Sequence, residues 1–403
     1  MIQLEEPRKF KLLVNQARQV GREVFRPISR KYDRAEHAYP KELDMLAALL
    51  DGMNASGGHG GAGAAGIAQS AGEANEGNRN GGNMNAVLGL TELCWGDVGL
   101  ALSLPRQGLG NAAIAAVASP EQKKRLDGCW AGMAITEPGC GSDSAAIRTT
   151  ARKDGDAYVL NGEKIYVTAG GRCDHVVVWA SLDLAKGRAA IKSFVVPKDT
   201  PGMEVVRLEH KLGIRASDTA TIRFTDCRVP AANLLGNPEI NTKAGFGGVM
   251  QTFDNTRPVV AAMAVGCARA ALERCRELLA EAGIACEYPT DRWRQPAAAA
   301  ELARLEAEWE AARLLTLRAA WMADNGQPNS LQASMAKAKA GRMGTEVTLR
   351  CAEICGSLGY GEDELLEKWA RDAKILDIFE GTQQIQLLII ARRVLELSSA
   401  ELK

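Results

Sequence analysis

Three changes of texture along the chain predict an α+β fold: an N-terminal helical domain, a middle antiparallel β domain and a C-terminal four-helix bundle. Apolar residues recur at helical spacing over about 8–52 and again over 85–117. Short β-branched runs take over between about 131 and 235. From Phe246 onward helical spacing returns with few breakers. The 403 residues suffice for three such units, expected at 1–130, 131–237 and 238–403.

The first stripe comprises Leu12, Leu13, Ala17 and Val20. Ten of the 41 glycines then fall between Gly57 and Gly82, which predicts a long loop at about 55–85. Within it, Gly61-Ala62-Gly63-Ala64-Ala65-Gly66 fits a dinucleotide fingerprint in letters only, because Asp51 to Gly60 offers no strand to precede it. Helices are expected at Asn85–Val98 and near Asn111–Val117, and a further one opens at Pro120 with Ser119 as its N-cap. Ala157-Tyr158-Val159-Leu160, Val176-Val177-Val178-Trp179 and Ser193-Phe194-Val195-Val196 read as strands. In the last third, Leu302, Leu305, Trp309 and Ala312 share a helical face. So do Ala333, Ala336, Ala340 and Met343, and Leu387–Leu397 continues the pattern.

Composition excludes several classes. The 49 basic and 49 acidic side chains cancel, so no basic surface for nucleic acid is expected. No apolar run approaches the roughly 20 residues that span a bilayer. The start, Met1-Ile2-Gln3-Leu4-Glu5-Glu6, has no secretory pattern, and a cytoplasmic protein is the expectation. Cys351 and Cys355 lie one helical turn apart, but no second Cys/His pair matches them. His37, His59, His175 and His210 each stand alone in sequence, so no metal centre is expected.

Chemistry concentrates near the C-terminus, in Arg371-Asp372-Ala373-Lys374-Ile375-Leu376-Asp377-Ile378-Phe379-Glu380-Gly381-Thr382-Gln383-Gln384-Ile385-Gln386. Glu380 stands between an apolar approach and a Gly-Thr turn. Desolvation beside Ile378 and Phe379 raises a carboxyl's pKa and suits it to accept a proton. Gly381 lets backbone approach a ligand closely.

Four further segments carry chemistry. Ala134-Ile135-Thr136-Glu137-Pro138-Gly139-Cys140-Gly141-Ser142-Asp143 reads as a strand end running into a Gly-rich turn with free hydroxyls. Asn161-Gly162-Glu163-Lys164-Ile165-Tyr166-Val167-Thr168-Ala169-Gly170-Gly171 reads as a hairpin turn feeding a strand. Lys211-Leu212-Gly213-Ile214-Arg215-Ala216-Ser217-Asp218-Thr219 is followed by Phe224-Thr225-Asp226-Cys227-Arg228-Val229-Pro230. Phe253-Asp254-Asn255-Thr256-Arg257-Pro258-Val259 is expected to begin a helix at Thr256-Arg257-Pro258.

Together these segments resemble the acyl-CoA dehydrogenase family, and the likeness spans nearly the whole chain. The resemblance implies FAD as cofactor, an acyl-CoA thioester as substrate and an electron-transfer flavoprotein as acceptor. It implies that Glu380 removes the α-proton while the flavin takes the β-hydride. Flavin contacts are implied for Ile135, Thr136, Gly141, Ser142, Tyr166, Thr168, Thr382 and Gln384. Many relatives carry Trp where this chain has Tyr166. Acyl-CoA contacts are implied for Ser142, Asp254, Arg257, Gly381 and Arg392. Some relatives place the base on the helix carrying Arg257; Thr256 cannot serve, which leaves Glu380.

Two segments depart from the family pattern. An Arg-x-Gln-Phe-Gly-x-Pro stretch that reaches a neighbouring subunit's FAD is replaced by Thr290-Asp291-Arg292-Trp293-Arg294-Gln295-Pro296. A Gln-x-x-Gly-Gly element is replaced by Glu353-Ile354-Cys355-Gly356-Ser357. Arg292, Trp293, Glu353 and Ser357 are the corresponding cofactor positions, and they leave both a homotetramer and a heterotetramer with a related subunit open. Two other readings stay in view: an oxygen-using acyl-CoA oxidase, and a non-catalytic scaffold subunit.

Overall fold

The structure is a computed structural model that describes residues 7–55, 80–106, 108–240, 247–286, 292–398 and 401. His59, Gly61–Gly66 and most of the expected glycine-rich loop lie outside them.

Helix α1 (Lys11–Val20) passes through a π-helical turn, Gly21–Phe25, into α2 (Arg26–Arg34), and α3 spans Glu42–Ala55. The helical stretch expected over 8–52 is therefore interrupted. His37 adopts φ 69°, and Pro40, which lacks an N–H, restricts the residue before it to extended backbone. The inward stripe of α1 is also offset from the expected one. Phe10, Val14 and Ala17 are buried at helical spacing, while Leu12 is 70% exposed.

Helices α4 (Gly82–Gly96), α5 (Val98–Leu102), α6 (Leu109–Val117) and α7 (Pro120–Arg125) follow. Ser119 caps α7 through a reciprocal pair: its Oγ accepts from Gln122 N (3.2 Å) and Gln122 Oε1 accepts from Ser119 N (3.0 Å).

The middle of the chain forms one seven-stranded sheet. Its strands are β1 (Ala131–Ala134), β2 (Thr150–Asp154), β3 (Ala157–Thr168), β4 (His175–Ser181), β5 (Ile191–Pro197), β6 (Met203–Leu208) and β7 (Thr219–Pro230). The order is β1-β4-β2-β3-β7-β6, with β5 on β4. Most pairings are antiparallel, as expected; β1 with β4 and the single contact of β2 with β4 are parallel.

Asn161-Gly162 is not a hairpin turn. The turn is Gly155-Asp156, between Asp154 and Ala157, and Asn161-Gly162 lies inside β3 at a bulge opposite β7. Gly162 is needed for close approach: a Cβ there would sit 2.4 Å from Thr149 Oγ1. Asn161 Oδ1 accepts from Asp226 N (2.9 Å), which holds the bulge against the partner strand.

The last third contains α8 (Gly247–Glu281), α9 (Ala297–Asp324), α10 (Ser330–Ile354), α11 (Gly356–Tyr360), α12 (Leu366–Ala373) and α13 (Gln383–Val394). Thr256-Arg257-Pro258 lies inside α8 rather than at its start. Pro258 is accepted there because every residue from Thr256 to Ala268 is buried, and that packing outweighs the lost helical hydrogen bond. One large core joins α2, α4, α5, α8, α9, α10 and α12, and a second fills one face of the sheet. No described helix is long and apolar enough to cross a membrane.

The histidines are not all isolated. The rings of His37 and His210 lie 5.1 Å apart beside Glu36, because the turn after α2 meets the chain leaving β6. Spacing in sequence could not show an encounter between residues so far apart.

Candidate active site

Glu380 sits in the turn between α12 and α13, in a left-handed conformation (φ 57°), followed by Gly381 at φ 88°. A non-glycine residue there costs on the order of 1 kcal/mol or more and persists only where its surroundings hold it. Here they do. Thr256 Oγ1, on α8, donates to Glu380 Oε2 at 2.9 Å. Lys337 Nζ, on α10, donates to the Gly381 carbonyl at 2.7 Å. Gln386 Nε2 donates to the carbonyls of both Glu380 (3.2 Å) and Gly381 (3.1 Å). A Cβ on Gly381 would come within 2.5 Å of that amide nitrogen and would sit on a backbone at φ 88°, which side-chain-bearing residues rarely adopt, so glycine is favoured.

Burial pushes the Glu380 carboxyl above its ordinary value; the Thr256 hydroxyl and the charges of Arg257 and Lys337 resist the shift without reversing it. Burial also pushes the Lys337 ammonium down, to about 8, against Asp377 and Glu380. The site thus holds a proton acceptor whose affinity for a proton is raised and a cation whose charge is weakly held.

A second cluster forms around the Gly-rich turn after β1. Lys164, fully buried, donates to the Ile135 carbonyl (2.9 Å) and to Glu137 Oε1 (2.8 Å). Glu137 also accepts from Arg148 N (2.6 Å), Thr149 N (2.9 Å) and the Thr149 hydroxyl (2.6 Å). Burial would raise this carboxyl, but Lys164 and Thr149 overcome it and hold it low. Ile165 N donates to the Thr136 carbonyl at 2.9 Å, which seats the turn on β3. Just beyond, Tyr166 takes φ 58° at a register shift and is 62% exposed. Thr168 pairs with Thr219 on β7. Gly141 lies in the turn, and Ser142 follows it exposed.

The segment Lys211–Thr219 connects the two clusters. Gly213 packs on the backbone of Arg371 and Asp372, where a Cβ would lie 2.4 Å from the Arg371 carbonyl oxygen. Arg371 Nη1 donates to the Leu212 carbonyl (2.9 Å). The sheet is thereby pinned eight residues ahead of Glu380.

The remaining expected site residues are placed as follows. Thr382 caps α13, its hydroxyl accepting from Ile385 N at 3.4 Å. Gln384 is exposed on the first turn of α13. On the last turn, Arg392 has a buried Nε with no hydrogen-bond partner among the described residues. Arg257 is buried on α8, with Nη1 3.5 Å from Ser334 Oγ. Trp293 is 83% exposed, Ser357 is exposed and Glu353 is ion-paired with Arg350. The side chains of Asp254 and Arg292 lie outside the described residues.

Sequence reasoning missed Lys337, Gln386 and the Glu137–Lys164 pair. Lys337 had a signal: it falls between Ala333 and Ala340 on the face assigned to the core, where a lone cation is costly and needs a reason.

Comparison with known proteins agrees with this architecture. The family model described as acyl-CoA dehydrogenase, middle domain, matches residues 132–227, and that described as acyl-CoA dehydrogenase, C-terminal domain, matches residues 243–395. Short-chain specific acyl-CoA dehydrogenase, mitochondrial, of Rattus norvegicus is 41% identical over 268 residues, which are 66% of this chain and 63% of that protein. The match therefore spans less than two thirds of that relative's length. Butyryl-CoA dehydrogenase from Megasphaera elsdenii superimposes with a TM-score of 0.82 at 28% identity, over 98% of this chain and all of the other. A chain solved in work on the electron transferring flavoprotein of Acidaminococcus fermentans does so with a TM-score of 0.83 at 30% identity, over 98% and 100% of the two chains. The chain belongs to the acyl-CoA dehydrogenase family.

Proposed function

We propose that this chain dehydrogenates a short acyl-CoA thioester to the trans-2-enoyl thioester with FAD as cofactor and Glu380 as base. The observation that carries the reading is the Glu380 carboxylate, held in a strained turn by three helices, with its proton affinity raised by burial.

The residues present fit FAD. Tyr166 presents an exposed aromatic ring from a bulged strand, beside a hydroxyl-bearing glycine turn anchored by Glu137 and Lys164. Ile135, Thr136, Gly141, Ser142, Tyr166, Thr168, Thr382 and Gln384 would hold it, with Arg292, Trp293, Glu353 and Ser357 reaching a neighbouring subunit's site. FAD, when bound, accepts the β-hydrogen with its electron pair. Glu380 takes the α-proton, and the Cα–Cβ double bond forms from the electrons of the broken Cα–H bond. The backbone N–H of Glu380 donates to the thioester oxygen, where negative charge develops. Ser142, Asp254, Arg257, Gly381 and Arg392 hold the acyl-CoA, the guanidinium of Arg392 being suited to a phosphate oxygen.

An electron-transfer flavoprotein is the proposed acceptor, a reading supported by the likeness to the Acidaminococcus chain, which was solved in work on such a flavoprotein. Exposed Leu358 and Tyr360 near α11 and exposed Leu387, Val394 and Leu395 along the last helix support assembly, as a homotetramer or with a related subunit. All ten cysteines are free thiols, which supports the cytoplasm as its compartment.

The test is product analysis. The purified chain with FAD and butyryl-CoA, supplied with an electron-transfer flavoprotein, should yield the enoyl-CoA. Turnover driven by oxygen alone at the same rate would instead support an oxidase, and a chain that binds no FAD would support a scaffold.

A further inference from the structure

We propose that Glu36, His37 and His210 form a site for a transition-metal dication, zinc foremost, that clips the N-terminal helices to the β domain. The site is separate from the residues assigned to acyl-CoA and FAD.

The turn after α2 carries Glu36 and His37, and the chain leaving β6 carries His210. Glu36 Oε2 lies 2.9 Å from His210 Nδ1, and Glu36 Oε1 accepts from Lys211 N at 2.9 Å. One ligand atom from each of the three residues lies within 4.8 Å of the other two, close enough for one ion to draw on all three.

His37 supplies the independent observation. Both of its ring nitrogens are out of contact with solvent, and neither has a hydrogen-bond partner among the described residues. His37 as a whole is half-buried, but two shielded ring nitrogens left unsatisfied call for a missing ion or water. The backbone of this turn is held in a left-handed conformation, φ 69° at His37, which fixes where the ring is attached. Arg172 Nη2 donates to the carbonyls of His37 (3.2 Å) and Ala38 (2.8 Å).

Two imidazoles and one carboxylate are the donor set that zinc takes with a fourth, open position; oxygen-loving calcium and magnesium would not select it. The His210 side chain is 85% exposed, which gives the ion an entry path and leaves room for a water. The neighbouring cations do not command the site. Arg172 pairs with Asp218 at 3.3 Å, and Lys211 Nζ donates to the Ser217 carbonyl at 2.7 Å.

The test uses the full chain loaded with FAD. Equilibrium dialysis against zinc chloride should show one zinc per chain that is absent from His210→Ala and from His37→Asn; asparagine tolerates the left-handed backbone and so preserves the turn. Zinc should also raise the melting temperature of the parent and of neither variant. Cobalt(II) should give the visible bands of a nitrogen and oxygen site. No zinc retained by the parent, equal zinc in parent and variants, or the near-ultraviolet thiolate bands of cysteine ligation would each overturn the proposal.

Discussion

Thr256 Oγ1 donates to Glu380 Oε2 at 2.9 Å, tying the interior of α8 to a turn 124 positions later. A hydrogen bond to a carboxylate favours the charged form and so counters the burial that raises the Glu380 pKa. Thr256→Val keeps the shape and removes the donor. Its loss should raise the Glu380 pKa further, by about one to two units for a charged hydrogen bond. The acid limb of the pH–rate profile should move upward accordingly. An unchanged limb would remove Thr256 from the site.

Lys337 acts on the same turn from α10. Its ammonium holds the Gly381 carbonyl and favours the Glu380 carboxylate. Lys337→Met should raise the acid limb and lower kcat by roughly tenfold, the effect of about 1.4 kcal/mol at the transition state. Stability carries a second signature. The folded value, about 8, lies below the 10.5 of the free side chain, so the unfolded chain holds this proton more tightly. The resulting penalty is fully present below pH 8 and disappears as pH rises from about 8 towards 10.5. Urea midpoints measured across that window should rise for the parent relative to Lys337→Met.

Lys368 lies fully buried between Asp97 (2.7 Å) and Asp372, with Leu100 N donating to Asp97 at 2.8 Å. Ile214 N, from the β domain, donates to Asp372 as well. The cluster joins α5, α12 and the loop before β7. Asp372→Ala should cost about 1–3 kcal/mol in urea unfolding, because it leaves the buried Ile214 N–H without its acceptor and Lys368 with one carboxylate, Asp97, instead of two. A loss below about 1 kcal/mol would show that the network contributes little.

Glu137 is the hub beneath the glycine turn, with Lys164, Thr149 and Arg148 N all donating to it. Glu137→Gln removes the charge that Lys164 needs in its buried position. The expected outcome is lower FAD occupancy in the purified protein and a melting temperature reduced by several degrees. Full FAD content would contradict this cluster's role in shaping the cofactor site.

Local signals were legible and long-range ones were not. The order of helices and strands followed from periodicity, and the Ser119 cap from adjacent letters. Glu380, Gly381 and Thr382 form one run, so their turn could be anticipated. Asn161-Gly162 misled because its glycine serves a contact with Thr149 rather than a turn. Pro258 misled because burial outweighed its dislike of helix interiors. Lys337 was hidden in a stripe of alanines, and its role depends on a turn 44 residues away. Glu36 and His210 stand 174 residues apart, and only the closed fold brings them together.

The most direct measurement is anaerobic titration of the FAD-loaded chain and of Glu380→Gln with short acyl-CoAs, following the flavin absorbance. The parent should bleach as butyryl-CoA is added. Glu380→Gln should keep its FAD and bleach at least about a hundredfold more slowly, the scale of a lost general base. Bleaching of Glu380→Gln at the parent's rate would contradict the assignment of Glu380 as the base.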